Sequence, residues 1–425
     1  MRIVTGRVAT VRGEVRPPAD KSLTHRAYLL AAAATGRSVI RNPLKAEDCE
    51  STLRCVEQMG LEAVWAEENE VVSTPSAEWH SPKEDLYCGN SGTTMRLLAG
   101  LVASRPIQVS MTGDPSLSKR PMKRIAEPLR LMGASVQGDR PPLKIHGSDA
   151  LNGIRYQSPV ASAQVKSCVL LAGLRAEGET WVTEPSLSRD HTERMFGALG
   201  VPVLRDGLSV GVRGGASFDG FMFDVPGDLS SAAFLMVAAA ILPGASVTLH
   251  DVGVNPTRTG ILDVFKECGV PTFLSGTKVE MGEPVACVEV RSAGALLPFE
   301  ISGPLVPRLI DEIPILAVLA TQADGVSRIR DAGELRVKES DRIELVASGL
   351  RAMGAEVETT EDGVDVAGPV RLRGTTVDAQ GDHRIAMAFA VAGLVAEGQT
   401  VVEGAEAIAT SYPDFEKDLW GVSVV

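Results

Sequence analysis

Cysteine is scarce. The six in 425 residues (Cys49, Cys55, Cys88, Cys168, Cys268 and Cys287) include no Cys-x-x-Cys pair, which argues against a disulfide framework and the usual zinc-site spacings and predicts reduced thiols in a reducing compartment. No bound metal and no cofactor are expected. Aromatic residues make up only 4% of the chain, so any core must be built mainly from Ala, Val and Leu, as in α/β proteins. No run approaches the roughly 18 consecutive apolar residues of a membrane span. Structured sequence is expected from about Ile3, leaving no room for a signal or transit peptide, so the predicted location is cytoplasmic, away from membranes. Basic residues are outnumbered, 42 Lys and Arg against 54 Asp and Glu, a formal charge of -12. That balance argues against a nucleic-acid partner and requires any anionic ligand to be held by a local cluster of positive groups.

What is present is an internal repeat, in a chain long enough for two to three domains. A helix-like segment ends in Gly before a short strand-like piece at Gly60, Gly133, Gly200, Gly269, Gly354 and Gly421. Between these marks lie Ala-rich segments that read as helices: 22–35, 91–103, 162–176, 229–242, 312–323 and 383–396. Most end at a glycine before a strand-like piece, the expected stop signal. Six units of about 70 residues follow, each mixing strands with two helices. Three precede residue 225 or so and three follow it, which predicts two similar lobes with a cleft between them and a crossover near Pro226-Gly227.

Polar residues gather where the Ala-rich helices begin: Asp20-Lys21-Ser22 with His25-Arg26, Gly89 to Arg96, Ser162-Ala163-Gln164-Val165-Lys166, Asp311-Glu312, and Asp382-His383-Arg384. Helix N-termini offer free backbone N–H groups and partial positive charge, so several at one place would trap phosphates or carboxylates. Taken singly, each is ordinary N-cap chemistry. The run Arg336-Val337-Lys338-Glu339-Ser340-Asp341-Arg342 reads in two ways. It is either a solvated helix start or a helical face on which Lys338 and Arg342 grip a dianion beside Glu339.

Taken together, Lys21-Ser22 with Arg26, Gly89-Asn90-Ser91-Gly92-Thr93, Arg120-Pro121-Met122, Ser162-Ala163-Gln164, the 336–342 run and Asp382-His383-Arg384 resemble the 5-enolpyruvylshikimate-3-phosphate synthases (3-phosphoshikimate 1-carboxyvinyltransferases) of the enolpyruvyl transferase family. The resemblance covers the whole chain. Ser188-Arg189-Asp190-His191-Thr192-Glu193 and Thr410-Ser411-Tyr412-Pro413 look like the subgroup called class II. It implies an α/β fold of two lobes, each of three βαβαββ units, closing over the substrates. Residues 1–17 plus 227–425 would form lobe I and residues 18–226 lobe II. It also implies transfer of the enolpyruvyl group of phosphoenolpyruvate to the 5-hydroxyl of shikimate 3-phosphate by a monomer that the inhibitor glyphosate would block.

By the same resemblance, Lys21, Ser22, Arg26, Ser162, Ala163 and Gln164 would hold shikimate 3-phosphate, with Arg189, Asp311 and Lys338. Phosphoenolpyruvate would sit beside Lys21, Asn90, Gly92, Arg120 and Gln164, with Arg342 and Arg384. The catalytic set would be Asp311 as base, Glu339 as the acid protonating C3, and Lys21 as a partner in proton transfer, since addition to an enol ether needs both functions. Three positions depart from common family residues: Ala19 for Gly, Glu334 for Asn and Thr410 for Lys. The histidines 25, 191 and 383 are read as hydrogen-bonded structural groups. The related UDP-N-acetylglucosamine enolpyruvyl transferases carry a Cys, or in some members Asp, in the loop that here reads Gly113 to Arg120 without Cys. A non-catalytic phospholigand binder and a relative of the RNA terminal phosphate cyclases are the remaining alternatives; the charge balance and the intact acid and base argue against both.

Overall fold

A computed structural model of the chain describes residues 1–424. The chain divides into two compact units. The inserted unit comprises Ala19–Val225 with the short segment Val279–Glu283. The terminal unit comprises Met1–Pro18, Pro226–Lys278 and the chain from Pro284 onward. Buried apolar side chains likewise form two separate clusters, Leu23 to Val225 in one and Ile3 to Val422 in the other.

One sheet shows the repeat plainly. Leu86–Tyr87 pairs in parallel with Gln108–Thr112, which pairs antiparallel with Leu143–His146, and Ser135–Gln137 closes the edge against that strand. Helices Gly92–Ala103 and Lys123–Met132 connect these strands, giving the order βαβαββ. The same strand order recurs around Glu179–Thr183 and around Gly325–Ile329. Where the chain passes between units, opening strands are exchanged. Thr10–Val15 precedes helix Lys21–Ala33 in sequence but pairs with Ser246–Gly253, whereas Met222–Asp224 precedes helix Leu229–Ile241 but pairs with Ser38–Arg41. The last sheet has three strands, with Arg2–Gly6 completing it beside Gln399–Glu403.

Each unit is built around three apolar helices. In the terminal unit these are Leu229–Ile241, Ile313–Ala320 and His383–Gly393, packed on one another. Such helices, apolar almost all round, can only be core elements. In the inserted unit their counterparts are Lys21–Ala33, Gly92–Ala103 and Ala163–Gly173. The expected helices 162–176, 312–323 and 383–396 each run three residues too far. Their last turns tighten into i→i−3 hydrogen bonds, such as Ala176 N–H to Gly173 O and Ala396 N–H to Gly393 O, a common way to satisfy terminal carbonyls. Five of the six glycine marks have positive φ; the sixth, Gly421, lies inside helix Phe415–Val422.

Gly100 shows how closely two of these helices approach. A Cβ there would fall well inside van der Waals distance of the Cys168 carbonyl oxygen on the neighbouring helix. Gly100→Ala is therefore expected to cost about 1–3 kcal/mol, the range for overpacking. The midpoint of urea unfolding measures it, and an unchanged midpoint would contradict this packing. Among the described residues no helix is long and apolar enough to cross a membrane.

Candidate active site

In each unit the three central helices begin at the same end, which brings their polar N-terminal residues together. In the terminal unit the assembly centres on Arg342, whose side chain is 1% exposed. Its Nε donates to Asp382 Oδ2 at 2.8 Å, its Nη2 to Glu339 Oε2 at 2.6 Å, and its Nη1 lies 3.3 Å from Asp311 Oδ1. Burial works against the charge of Arg342, yet Asp382, Glu339 and Asp311 outweigh it and hold the guanidinium above its ordinary range. Burial likewise disfavours the Asp382 carboxylate, but the Arg342 charge prevails and leaves its carboxyl below the usual value. Asp382 also caps helix His383–Gly393 by accepting from Arg384 N–H at 3.0 Å.

Asp311 faces three cations. Besides Arg342, Arg384 Nε lies 3.7 Å and Lys338 Nζ 3.8 Å from its Oδ1. Its neighbour Glu312 turns inward instead, accepting from Ser230 Oγ, which is itself bonded to Arg258. The structure thereby separates two carboxylates that are adjacent in sequence.

The expectation that 336–342 opens a helix is not met. A 3-10 turn covers Gly333–Val337, helix Arg342–Ala352 begins only at Arg342, and Asp341 caps it by accepting from Glu344 N–H at 3.1 Å. Asp341 prefers capping to continuing a helix, so Lys338 and Arg342 do not share a helical face and meet across Asp311. Arg336 is turned to other work, donating to Asp341 and to the carbonyls of Thr360 and Glu361, each at 2.7 Å.

In the inserted unit Asn90, Gly92, Arg120 and Gln164 come together. Arg120 donates to Asn90 Oδ1 at 2.8 Å, and Gln164 donates to Thr93 Oγ1 at 3.0 Å. Arg96 joins them, its Nη1 donating to Gln164 Oε1 at 2.5 Å and its Nη2 to Pro121 O at 3.3 Å. Lys21 pairs with Asp48 at 3.2 Å. Arg26, buried, donates to Ser22 O at 3.0 Å and to Thr192 Oγ1 and Ser167 Oγ, both at 2.8 Å. Burial brings this guanidinium down to about 10, with Glu193 opposing. Ser162 caps the helix beginning at Ala163, accepting from Val165 N–H at 3.4 Å. Arg189 precedes helix His191–Ala198.

His25 and His191 have geometry that suits a structural role. His25 Nδ1 bonds Thr52 Oγ1 at 2.7 Å, and burial, followed by the charges of Lys21 and Arg26, puts it well below its ordinary value near 6.5. His191 Nδ1 lies 2.9 Å from Glu283 Oε1. Thr410 ends a 3-10 turn and donates to Ala407 O at 2.8 Å. Among the described residues no group of three or more His, Cys, Asp or Glu side chains is placed to hold a metal ion.

Arg96 and Asp382, both within the helix-start motifs, join the site although neither is among the residues expected there. The signal was available for Arg96, one helical turn beyond Gly92, and for Asp382 as an N-cap residue.

A profile of the EPSP synthase (3-phosphoshikimate 1-carboxyvinyltransferase) family matches residues 6–419. A 3-phosphoshikimate 1-carboxyvinyltransferase of Brevibacillus brevis is 50% identical over 420 residues, covering 97% of this chain and 98% of the relative. One of Bacillus thuringiensis is 47% identical over 423 residues, 98% of each. A solved EPSP synthase from Acinetobacter baumannii superposes with a TM-score of 0.89 at 42% identity, covering 100% of this chain and 98% of that one. With the profile spanning nearly its whole length and relatives this similar, the chain belongs to the EPSP synthase (3-phosphoshikimate 1-carboxyvinyltransferase) family.

Proposed function

We propose that the chain transfers the enolpyruvyl group of phosphoenolpyruvate to the 5-hydroxyl of shikimate 3-phosphate. The products are 5-enolpyruvylshikimate 3-phosphate and phosphate, formed through a tetrahedral addition–elimination intermediate, in the shikimate pathway toward aromatic amino acids. The observation that carries this reading is the cluster of Asp311, Glu339 and Lys338 around the buried Arg342. Two carboxylates that share one buried guanidinium stand there beside cations suited to a phosphorylated, carboxylated substrate. A phosphate-release assay tests it: release with phosphoenolpyruvate plus shikimate 3-phosphate, and none when UDP-N-acetylglucosamine replaces the latter. The opposite preference would overturn the reading.

In this mechanism Asp311 removes the proton of the 5-hydroxyl while Glu339 delivers one to C3 of phosphoenolpyruvate, with Lys21 as a partner in proton transfer. Arg342, Arg384 and Arg120, with Asn90, Gly92 and Gln164, hold phosphoenolpyruvate. Lys21, Ser22, Arg26, Ser162, Ala163, Gln164, Arg189 and Lys338 hold shikimate 3-phosphate. The 2.6 Å pair of Arg342 with Glu339 gives the acid a way to be released: the anionic groups of phosphoenolpyruvate compete for the guanidinium and free Glu339 to carry a proton. Elimination of phosphate then reverses the two roles. The enzyme is proposed to act as a monomer in the cytoplasm, a location that fits its free cysteines.

Glyphosate is proposed to compete with phosphoenolpyruvate. A Cβ on Gly92 would lie 2.9 Å from Arg96 Nη1 and 3.5 Å from Arg120 Nη1, so a methyl there presses on the guanidinium that Gln164 holds. The inhibitor is longer than the substrate and has less room to adjust. Gly92→Ala is expected to weaken glyphosate inhibition more than about tenfold, roughly 1.4 kcal/mol, with a smaller rise in KM for phosphoenolpyruvate. Inhibition constants for both proteins check this, and equal losses for inhibitor and substrate would count against it.

A further inference from the structure

The run Ser188 to Glu193 supplies only Arg189 to the proposed site, yet Ser188, His191, Thr192 and Glu193 each have a buried partner. Glu184, 4% exposed, is the hub. Its Oε1 accepts from Ser162 N–H at 2.8 Å and from Ser188 Oγ at 2.6 Å, so one carboxylate joins the residue that opens helix Ala163–Gly173 to the loop that carries Arg189. Lys166, 1% exposed, lies 2.9 Å from Glu184 Oε2 and 2.9 Å from Glu193 Oε1, and donates to Ser188 O at 3.3 Å. Thr192 Oγ1 accepts from Arg26 Nε at 2.8 Å and bonds Ser167 Oγ at 2.7 Å, and Ser167 in turn accepts from Arg26 Nη2. Two carboxylates balancing one buried ammonium, with further hydrogen bonds to backbone, is a costly arrangement to desolvate. Well-packed apolar residues would serve stability as well.

We infer that Glu184, Lys166, Glu193 and Thr192 are positioning residues that set the mutual geometry of Arg26, Ser162 and Arg189, and so determine affinity for the shikimate 3-phosphate dianion. The inference rests on the proposal that those three residues hold that substrate. The physical logic is that a phosphate bound by groups on three separate segments is held well only if the segments are fixed before it arrives. Thr192 and Ser167 fix two edges of the Arg26 guanidinium and leave its direction determined. The Glu184 carboxylate fixes Ser162 relative to the Arg189 loop. Burial alone would lower the Lys166 ammonium, but Glu193 and Glu184 outweigh it and raise it above its ordinary value, so the link stays charged at neutral pH.

Steady-state kinetics on the full chain test this with Thr192→Val, which keeps shape and loses the acceptor, Thr192→Ser, which keeps the hydroxyl, and Glu184→Gln. Thr192→Val and Glu184→Gln are expected to raise KM for shikimate 3-phosphate at least tenfold, with kcat and KM for phosphoenolpyruvate within about threefold of wild type. Thr192→Ser should restore the KM to within threefold. If Thr192→Val does not fold, Ser167→Ala removes a partner of the same guanidinium and should raise the same KM at least threefold. An unchanged KM for shikimate 3-phosphate in folded variants overturns the inference. So does a proportional fall of kcat and both affinities that follows the loss in thermal midpoint, the mark of a purely structural network. Failure of the underlying reading is distinguishable, because wild type itself would then release no phosphate with shikimate 3-phosphate.

Discussion

Asp311→Asn and Glu339→Gln are each expected to lower kcat at least about a hundredfold, the low end for groups acting as general acid or base, while both substrates still bind. The amides keep volume and most hydrogen bonds, and Glu339→Gln retains an oxygen to face Arg342 Nη2, now 2.6 Å from the carboxylate. What each loses is the ability to exchange a proton. Asp311 Oδ1 has Arg342, Arg384 and Lys338 within 4 Å, so in Asp311→Asn three cations remain to hold anionic substrate and the loss should fall on turnover. Because the two carboxylates act in a single addition step, the double variant should be little slower than the worse single one. Single-turnover phosphate release, with substrate binding followed by calorimetry, separates the effects. Near-normal turnover in both variants would remove these carboxylates from the proton transfers.

The repeat was legible because it is written in local signals. A helix that must be buried on all sides carries no charges, as in Leu229–Ile241, and ends where a glycine or a tightened turn releases the chain. Such signals repeat with the fold and need no knowledge of tertiary contacts. The exchange of opening strands, Thr10–Val15 for Met222–Asp224, was implied by the family resemblance alone, because pairing partners more than 180 residues apart leave no trace in local pattern. The site divides in the same way. Residues at helix starts, such as Asp382 and Ser162, announce themselves as polar groups before an apolar run. The conformation of 338–341 did not, since a run of mixed charges suits a helix and a loop equally, and only the capping by Asp341 decides. The pairing of Glu184 with Lys166, itself read as a cation of the helix start, was hidden for another reason. Their importance lies in being buried together, and a Lys and a Glu 18 residues apart give no hint of a 2.9 Å contact.

Arg342 is where chemistry and stability are hardest to separate, and its replacement by Met is expected to destabilise the folded protein by about 3–5 kcal/mol, the cost of leaving buried charge without its partner. Lysine should restore only part, because one ammonium cannot meet Asp382, Glu339 and Asp311 in the three directions that a guanidinium spans. The pH dependence identifies the carboxylate responsible. In wild type the Asp382 carboxyl is held below its unfolded value, so its stabilisation is complete above about pH 4 and is lost as pH falls through the depressed folded value. Without Arg342, burial and the Glu339 charge remain as the leading influences and push Asp382 upward, against the smaller effect of His383 and the hydrogen bonds from Arg384 N–H and Ser340 Oγ. Its sign is then reversed: stability is greatest at low pH and falls as pH rises through the raised folded value. Arg342→Met should therefore unfold at higher urea at pH 5 than at pH 7, a range over which Asp382 contributes no pH dependence in wild type. Adding Asp382→Asn should recover part of the loss at pH 7 and flatten the dependence. Urea unfolding of the four proteins at both pH values checks each step. A double variant no more stable than Arg342→Met alone would show that Glu339 or Asp311, and not the buried Asp382, carries the uncompensated charge.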